Sequence, residues 1–350
     1  MTKPDLLSMD IAALTNLLSA LKEPPYRARQ LFCWLQQKGV NDFACMSNLP
    51  LSLQQWLAAE TRINTPLIVF RQESADANTV KLLLELADGE QIETVLMLYE
   101  RENNRARATC CVSTQSGCAF ACAFCASGLY KNPRNLSAGE MIAQVLACAA
   151  IGRDAGYNGV SNVVFMGMGE PLANMANLKR AILLLNDEGG QNIGQRRITV
   201  STCGLAPQIY KLADWGLQIG LAVSLHAADQ EKRMRLMPVA ARYNLEELLK
   251  ACRYFRRKTG RRVTMEYALF AGVNDSERDA EQLAALLAEE DVLINIIPAN
   301  NVAEAGICAS DREIIKIFCD TIRRRGMEVA VRERRGTEID AACGQLRGKK

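Results

Sequence analysis

An alternation of strand and helix that begins near residue 106 and runs to about residue 325 constrains this chain more than any other feature of its sequence. Six strand-like runs, ARATCCVS, SNVVFMG, RRITVST, LQIGLAVSLH, RVTMEYALF and VLINIIP, alternate with helical stretches at about 138–151, 176–188, 206–214, 244–259, 276–290 and 310–325. Ser137 and Glu140 are spaced as a capping box ahead of the first helix. Successive units of this kind require a parallel sheet with right-handed crossovers. Six units fall two short of a closed eight-fold barrel, which leaves a partial barrel or an open doubly wound sheet. The strand ends discriminate. They lead into Cys118, Gly167-Met168-Gly169-Glu170-Pro171, Ser201-Thr202-Cys203-Gly204, Ser224-Leu225-His226, Gly272-Val273-Asn274 and Pro298-Ala299-Asn300. Polar or glycine-rich tips on all six predict an α/β fold, a partial (β/α)6 barrel with one mouth at the carboxyl ends of its strands.

The preceding residues read differently. Helical patterns at Ile11–Leu21, Arg27–Lys38 and Leu51–Ala59, broken by Pro24-Pro25 and Pro50, predict a helical N-terminal domain over 1–62. TPLIVFRQES, TVKLLLELADG and QIETVLMLY predict an antiparallel meander, a β-rich linker over 63–100. The barrel core then occupies 101–350.

No stretch approaches the roughly 18 apolar residues of a membrane span, and the start lacks the basic-then-apolar order of a secretory leader. A cytoplasmic protein with no membrane contact is expected. In that reducing compartment thirteen cysteines are not a disulfide framework, and an odd number cannot pair fully within one chain. Some should bind metal or react, while Cys148, Cys252 and Cys319 sit among apolar helical positions as core residues. The single histidine, His226, argues against His-rich zinc sites and leaves any Ser-His-Asp mechanism resting on one residue. A net charge of +3 does not by itself imply a polyanionic partner. Arg253, Arg256, Arg257, Lys258, Arg261 and Arg262 nevertheless form one basic stripe, and Arg323–Arg325 with Arg332, Arg334 and Arg335 another. Such stripes suit phosphate contacts, or else are solvated helix ends.

The most specific local signal is Cys118-Ala-Phe-Ala-Cys122-Ala-Phe-Cys125, a C-x3-C-x2-C run directly after a strand. Three thiolates on so short a segment suit a soft metal or an iron–sulfur cluster. A structural zinc site needs four ligands, and no fourth Cys or His lies nearby in sequence. The run, with Phe124 before its last cysteine, resembles the defining motif of the radical S-adenosyl-L-methionine (SAM) superfamily. VSTQSGCAFACAFC, RNLSAGEMIAQV, FMGMGEPLAN, SLHA and DAACGQL together resemble the RlmN/Cfr family of RNA adenine methyltransferases, with the RlmN side nearer. YRARQLFCWLQQKGVNDFACMSNLP and the segment ending in GEQIETV extend the likeness over nearly the whole chain.

The resemblance implies a 4Fe-4S cluster on Cys118, Cys122 and Cys125, whose open iron binds SAM. It places Gly169 and Glu170 at the SAM amino group, with Ser201, Ser224, Leu225, His226 and Asn300 around the rest of that molecule. It implies that Cys343 carries a methyl group from a first SAM, that a second SAM yields the radical that activates it, and that Cys111 resolves the resulting RNA–protein crosslink. Glu93 falls at the family position for the base that removes the adenine C2 proton; its plain alternative is a surface glutamate. The implied substrates are 23S rRNA and the adenine beside the tRNA anticodon, with an electron donor such as a flavodoxin and a monomeric enzyme. Cys110, beside Cys111, is a departure and a rival resolving thiol, and NVAEAGICAS after Asn300 lacks the family pattern. C8 methylation, as by Cfr enzymes, and a non-catalytic iron–sulfur RNA-binding protein are the competing readings.

Overall fold

The computed structural model describes residues 3–102, 105–129, 133–299, 308–332, 336, 339–341 and 344–346. Three helices come first: α1 (Ile11–Ser19), capped by the Asp10 carboxylate, α2 (Tyr26–Phe32), which continues into a π-turn at Cys33–Gln37, and α3 (Leu51–Glu60). Leu14, Leu18, Leu31, Leu35, Leu53 and Leu57 are buried among them. The meander follows as β1 (Leu67–Glu73), β2 (Thr79–Glu85) and β3 (Gln91–Glu102), antiparallel throughout.

The strand β4 (Arg105–Cys111) pairs antiparallel with β3 on one side and parallel with β5 (Asn162–Phe165) on the other. From there β6 (Ile198–Thr202), β7 (Gly220–Ser224), β8 (Val263–Leu269) and β9 (Val292–Pro298) add in order, all parallel. The six expected βα units are present. Their helices are α4 (Ala138–Asp154), α5 (Met175–Asn186), α6 (Ala206–Ala213), α8 (Leu245–Thr259), α9 (Glu277–Leu287) and α10 (Arg312–Arg324), and both halves of the Ser137/Glu140 capping box are made. Two elements were not expected. The helix α7 (Gln230–Leu236) lies between β7 and α8, and β10 (Val329–Val331) pairs parallel with β9. The meander and the parallel strands form one ten-stranded open sheet in the order β1 to β10.

Most of the basic stripe charges are paired with carboxylates. In α8 and the turn after it, Arg253 meets Glu290 at 2.6 Å, Arg262 meets Asp291 at 3.1 Å and Lys258 meets Asp214 at 3.4 Å. At the end of α10, Arg323, Arg324 and Arg325 meet Asp320, Glu277 and Glu281. The last turn of a barrel helix feeds the amino end of the next strand, so these cations complement helix dipoles and nearby carboxylates. The geometry supports the helix-end reading for the first stripe and for Arg323, Arg324 and Arg325. Among the described residues no helix is long and apolar enough to cross a membrane.

Candidate functional site

The carboxyl ends of the parallel strands open onto a cavity of about 160 Å³ that is continuous with solvent. Cys118, Cys122, Cys125, Gly169, Glu170, Ser201, Ser224 and His226 all line it. Leu225 is buried beneath, with its N–H given to the Glu266 carbonyl at 2.9 Å. Asn300 and Cys343 lie outside the described residues.

The floor is set by close packing between the segment after β4 and the glycine-rich loop after β5. The Ser113 hydroxyl donates to the Glu93 carbonyl at 2.6 Å and accepts from the Met168 N–H at 2.8 Å. The Gln115 side-chain oxygen accepts from the Glu170 N–H at 2.8 Å. A Cβ on Gly167 would stand 2.7 Å from the Ser113 nitrogen, and one on Gly169, whose φ is +93°, would stand 2.5 Å from Gln115 Cβ. Both positions therefore require glycine. Glu170 is held by the N–H groups of Leu172 (2.9 Å) and Cys203 (2.7 Å). Burial pushes its carboxyl pKa up, and these backbone donors pull against that shift.

The cysteine loop is fixed by its main chain. The Cys118 N–H donates to the Ser127 carbonyl and the Cys125 N–H to the Cys122 carbonyl, both at 3.0 Å, while the Ala123 N–H donates to the Leu236 carbonyl of α7 at 2.9 Å. The three side chains are left to face the cavity. Burial, with repulsion from Cys125 and Glu170, pushes the Cys118 thiol up to about 12, and Cys122 moves the same way. Thiols in such a place become thiolates only against compensating positive charge, which a bound metal group supplies. Among the described residues no three His, Cys, Asp or Glu side chains converge tightly enough to hold a single metal ion. Three thiols of one loop lining one cavity suit a multi-iron cluster.

His226 has φ +55° and is buried, with its ring 4.6 Å from Phe124 in a T-shaped contact. Its Nδ1 accepts from the Ala268 N–H at 2.9 Å, which assigns the ring proton to Nε2. Burial, and then the nearby Arg233 charge, lower its pKa to about 3. The ring is thus a neutral donor at the cavity. In the unfolded chain His226 takes up a proton below its ordinary 6.5, whereas the folded ring refuses it down to about 3. Its contribution to stability is therefore intact above that ordinary value and is lost as pH falls below it, by about 1.4 kcal/mol per pH unit. Urea unfolding at neutral pH and at about pH 5.5 should show this acid-side loss in the wild type and not in His226→Gln; equal slopes would refute it.

Strand register organises the remaining residues. Lys81 pairs with Val95 and Val95 with Cys111, so the three form a row on one face, and Glu93 lies diagonal to Lys81 on that face. Cys110 and Thr94 belong to the opposite face. The Cys110 thiol is 0% exposed, 3.7 Å from Thr94 Oγ1 and 4.0 Å from the Gln144 carbonyl of α4. The neighbouring thiols of Cys110 and Cys111 are thus directed to opposite sides of the sheet. Glu93 is 5% exposed and 3.4 Å from Lys81 Nζ, so the surface-glutamate alternative fails. Lys81 also donates to the Asp340 carbonyl at 3.4 Å. On the other side of Cys343, the Gly344 carbonyl accepts from the Ala126 N–H, and Leu346 from the Ser127 hydroxyl, both at 2.8 Å. The described residues flanking Cys343 are therefore tied to Lys81 on one side and to the cysteine loop on the other.

Several groups at or beside the mouth were not anticipated. Cys203 stood only as one strand-tip residue among others, yet its N–H holds Glu170. Glu266, a charge inside the apolar run VTMEYAL, lines the cavity with Arg332, which follows β10. That lone charge in a buried strand was the available signal. Lys81 and Arg233 gave none, because each reads as an ordinary charge in a polar context until tertiary pairing buries it.

Residues 112–284 match the family model described as Radical SAM superfamily, and residues 4–63 the one described as Ribosomal RNA large subunit methyltransferase N-terminal domain. Fold and mouth thus define a radical SAM methyltransferase, a class that uses a 4Fe-4S cluster and SAM. The chain is 45% identical over 346 residues to the probable dual-specificity RNA methyltransferase RlmN of Bacillus pumilus, covering 99% of this chain and 94% of that protein. Identity is also 45% to the protein of the same description from Moorella thermoacetica, across 99% and 98% of the two chains. The crystal structure of a radical SAM methyltransferase from Sphaerobacter thermophilus superposes with a TM-score of 0.95 at 44% identity, covering 99% of this chain and all of that one. This chain belongs to the RlmN family.

Proposed function

We propose that this enzyme methylates C2 of an adenine in 23S rRNA and of the adenine beside the tRNA anticodon, with Cys343 as methyl carrier and Cys111 as resolving thiol. The observation that carries this reading is the convergence of Cys118, Cys122 and Cys125 with Gly169 and Glu170 in one cavity of an RlmN-family chain. When bound, the cluster and SAM supply the methyl group and the 5'-deoxyadenosyl radical that activates it on Cys343. The three cysteines hold the cluster, and Glu170 receives the SAM ammonium where glycines let the backbone approach. Ser201, Ser224, Leu225, His226 and Asn300 enclose the rest, with His226 offering its Nε2–H.

Adenine C2 is electron-poor, so polar attack on a sulfonium methyl is unfavourable, whereas a carbon radical carried by Cys343 adds there. Glu93 then takes the C2 proton, its carboxylate kept in place by the Lys81 ammonium. The adduct would give its unpaired electron back to the bound cluster; the Cys111 thiolate then attacks the Cys343 sulfur, a sulfur–sulfur bond forms as the carbon–sulfur bond breaks, and the released carbon takes up a proton to complete the methyl group. Residues 1–62 serve as an RNA-binding accessory domain joined by the 63–100 linker to the 101–350 core. The enzyme works as a cytoplasmic monomer fed by a one-electron donor such as a flavodoxin. RNA carrying C2-deuterated adenine tests the site of attack by mass spectrometry. The methylated product should have lost its deuterium; product that retains it overturns the C2 assignment and leaves C8.

A further inference from the structure

We propose that Arg233 is a positioning residue for the iron–sulfur centre, one that locks the tips of β6 and β7 to the cysteine loop and favours the reduced cluster through its charge. This rests on the assignment of the cluster to Cys118, Cys122 and Cys125. Arg233 is 0% exposed and heads the largest fully buried side chains of the described residues. Its Nε donates to the Leu225 carbonyl at 3.2 Å, and its Nη2 donates to the carbonyls of Cys203 at 2.9 Å and Ser224 at 3.3 Å. The second terminal nitrogen, Nη1, is buried with no hydrogen-bond partner among the described residues. The fork packs on Gly204, at φ +107°, where a Cβ would come within 2.8 Å of Nη2.

Carbonyl dipoles satisfy part of the guanidinium but do not neutralise it. Among the described residues none of the ion pairs includes Arg233. A buried cation without a counter-charge is costly, so a chain that retains one is expected to hold negative charge nearby. The thiolates are the candidates. One turn beyond Arg233, the Leu236 carbonyl receives the Ala123 N–H from between Cys122 and Cys125, so α7 lies directly against that loop. Cys203, whose carbonyl Arg233 holds, lines the same cavity as Cys122.

A four-iron cluster on three thiolates is anionic and gains further negative charge when it accepts an electron. A fixed buried cation therefore stabilises the reduced form more than the oxidised one, and net charge is one of the levers that set such potentials. Arg233→Lys keeps the charge while losing the three-carbonyl fork; Arg233→Gln and Arg233→Met remove the charge.

The test is an EPR-monitored dithionite titration of the full-length, anaerobically reconstituted protein and these variants, with iron and sulfide content measured on each. At a fixed solution potential, the ratio of reduced to oxidised cluster should fall about tenfold in Arg233→Gln, a midpoint lower by about 59 mV. In Arg233→Lys the ratio should stay near the wild-type value while thermal stability drops. An unchanged ratio in Arg233→Gln with full iron content would overturn the inference, because a purely structural role leaves the potential alone. Should neither neutral variant hold a cluster, the contrast with Arg233→Lys decides: a Lys variant that keeps full iron and a wild-type ratio supports a requirement for charge, and one that also loses the cluster or shows a tenfold fall overturns it. Wild-type protein that takes up no four-iron cluster would instead sink the ligand assignment, and iron content separates that failure from the others.

Discussion

Serine in place of any one of Cys118, Cys122 or Cys125 should leave a folded protein that no longer forms 5'-deoxyadenosine from SAM under reducing conditions. The loop is held by hydrogen bonds from the backbones of Cys118, Ala123 and Cys125, none of which uses a thiol, so the exchange of sulfur for oxygen leaves its shape intact. What is lost is a soft donor in a set of three, and serine is a poor ligand for iron in such a cluster. Losing an outer-shell partner of a metal site already costs about 10- to 100-fold. Loss of a direct ligand should exceed that, with a matching fall in bound iron. Anaerobic reconstitution followed by chromatographic measurement of 5'-deoxyadenosine checks this. A serine variant with wild-type output would remove that cysteine from the ligand set, and failure of the intact protein would favour a non-catalytic iron–sulfur RNA-binding role.

In Cys111→Ala the reaction should stop at the crosslink and accumulate RNA covalently attached through Cys343, visible as a retarded band on a denaturing gel. Cys111 ends β4 on the face shared with Lys81 and Glu93, where a resolving thiol is required. Cys110→Ala is the internal control. Its sulfur lies on the α4 side of the sheet against Thr94 and Gln144, so its removal should slightly loosen packing, trap no adduct and leave turnover in place. An intact cluster in Cys111→Ala with no adduct refutes the cysteine pair. An adduct in Cys110→Ala would show that the two faces exchange during catalysis.

The parts of this molecule that could be read from sequence are those in which the signal is local. Strand-like runs such as SNVVFMG and RRITVST are bounded by turns and carry their own periodicity, so β5 and β6 fall where expected. The C-x3-C-x2-C spacing works over eight residues. By contrast, β10 is three residues long and exists through its pairing with β9, which sequence distance conceals. In α7, Gln-Glu-Lys-Arg-Met-Arg-Leu has a charge at the position that turns inward, which erases the apolar stripe that normally marks a helix. For Glu93 a surface alternative stands beside the family position because its partner Lys81 is brought to it only by the β2–β3 register. The arginines of α8 and α10 cluster in sequence, yet most of the acidic side chains that meet them lie outside their own helix, among them Glu277, Glu281 and Glu290.

The junction strand β4 has one further consequence. With antiparallel β3 on one edge and parallel β5 on the other, it is interior to the ten-stranded sheet, and neither of its edges borders solvent. Fraying that begins at the outer strands β1 or β10 must release intervening strands before it reaches β4. Amides in this position exchange with solvent chiefly when the whole sheet opens. The cysteine loop, where ligands must enter and leave, is therefore rooted in a segment whose opening free energy approaches that of global unfolding. Movement for substrate entry can then be confined to the loops at the mouth while their anchor stays closed.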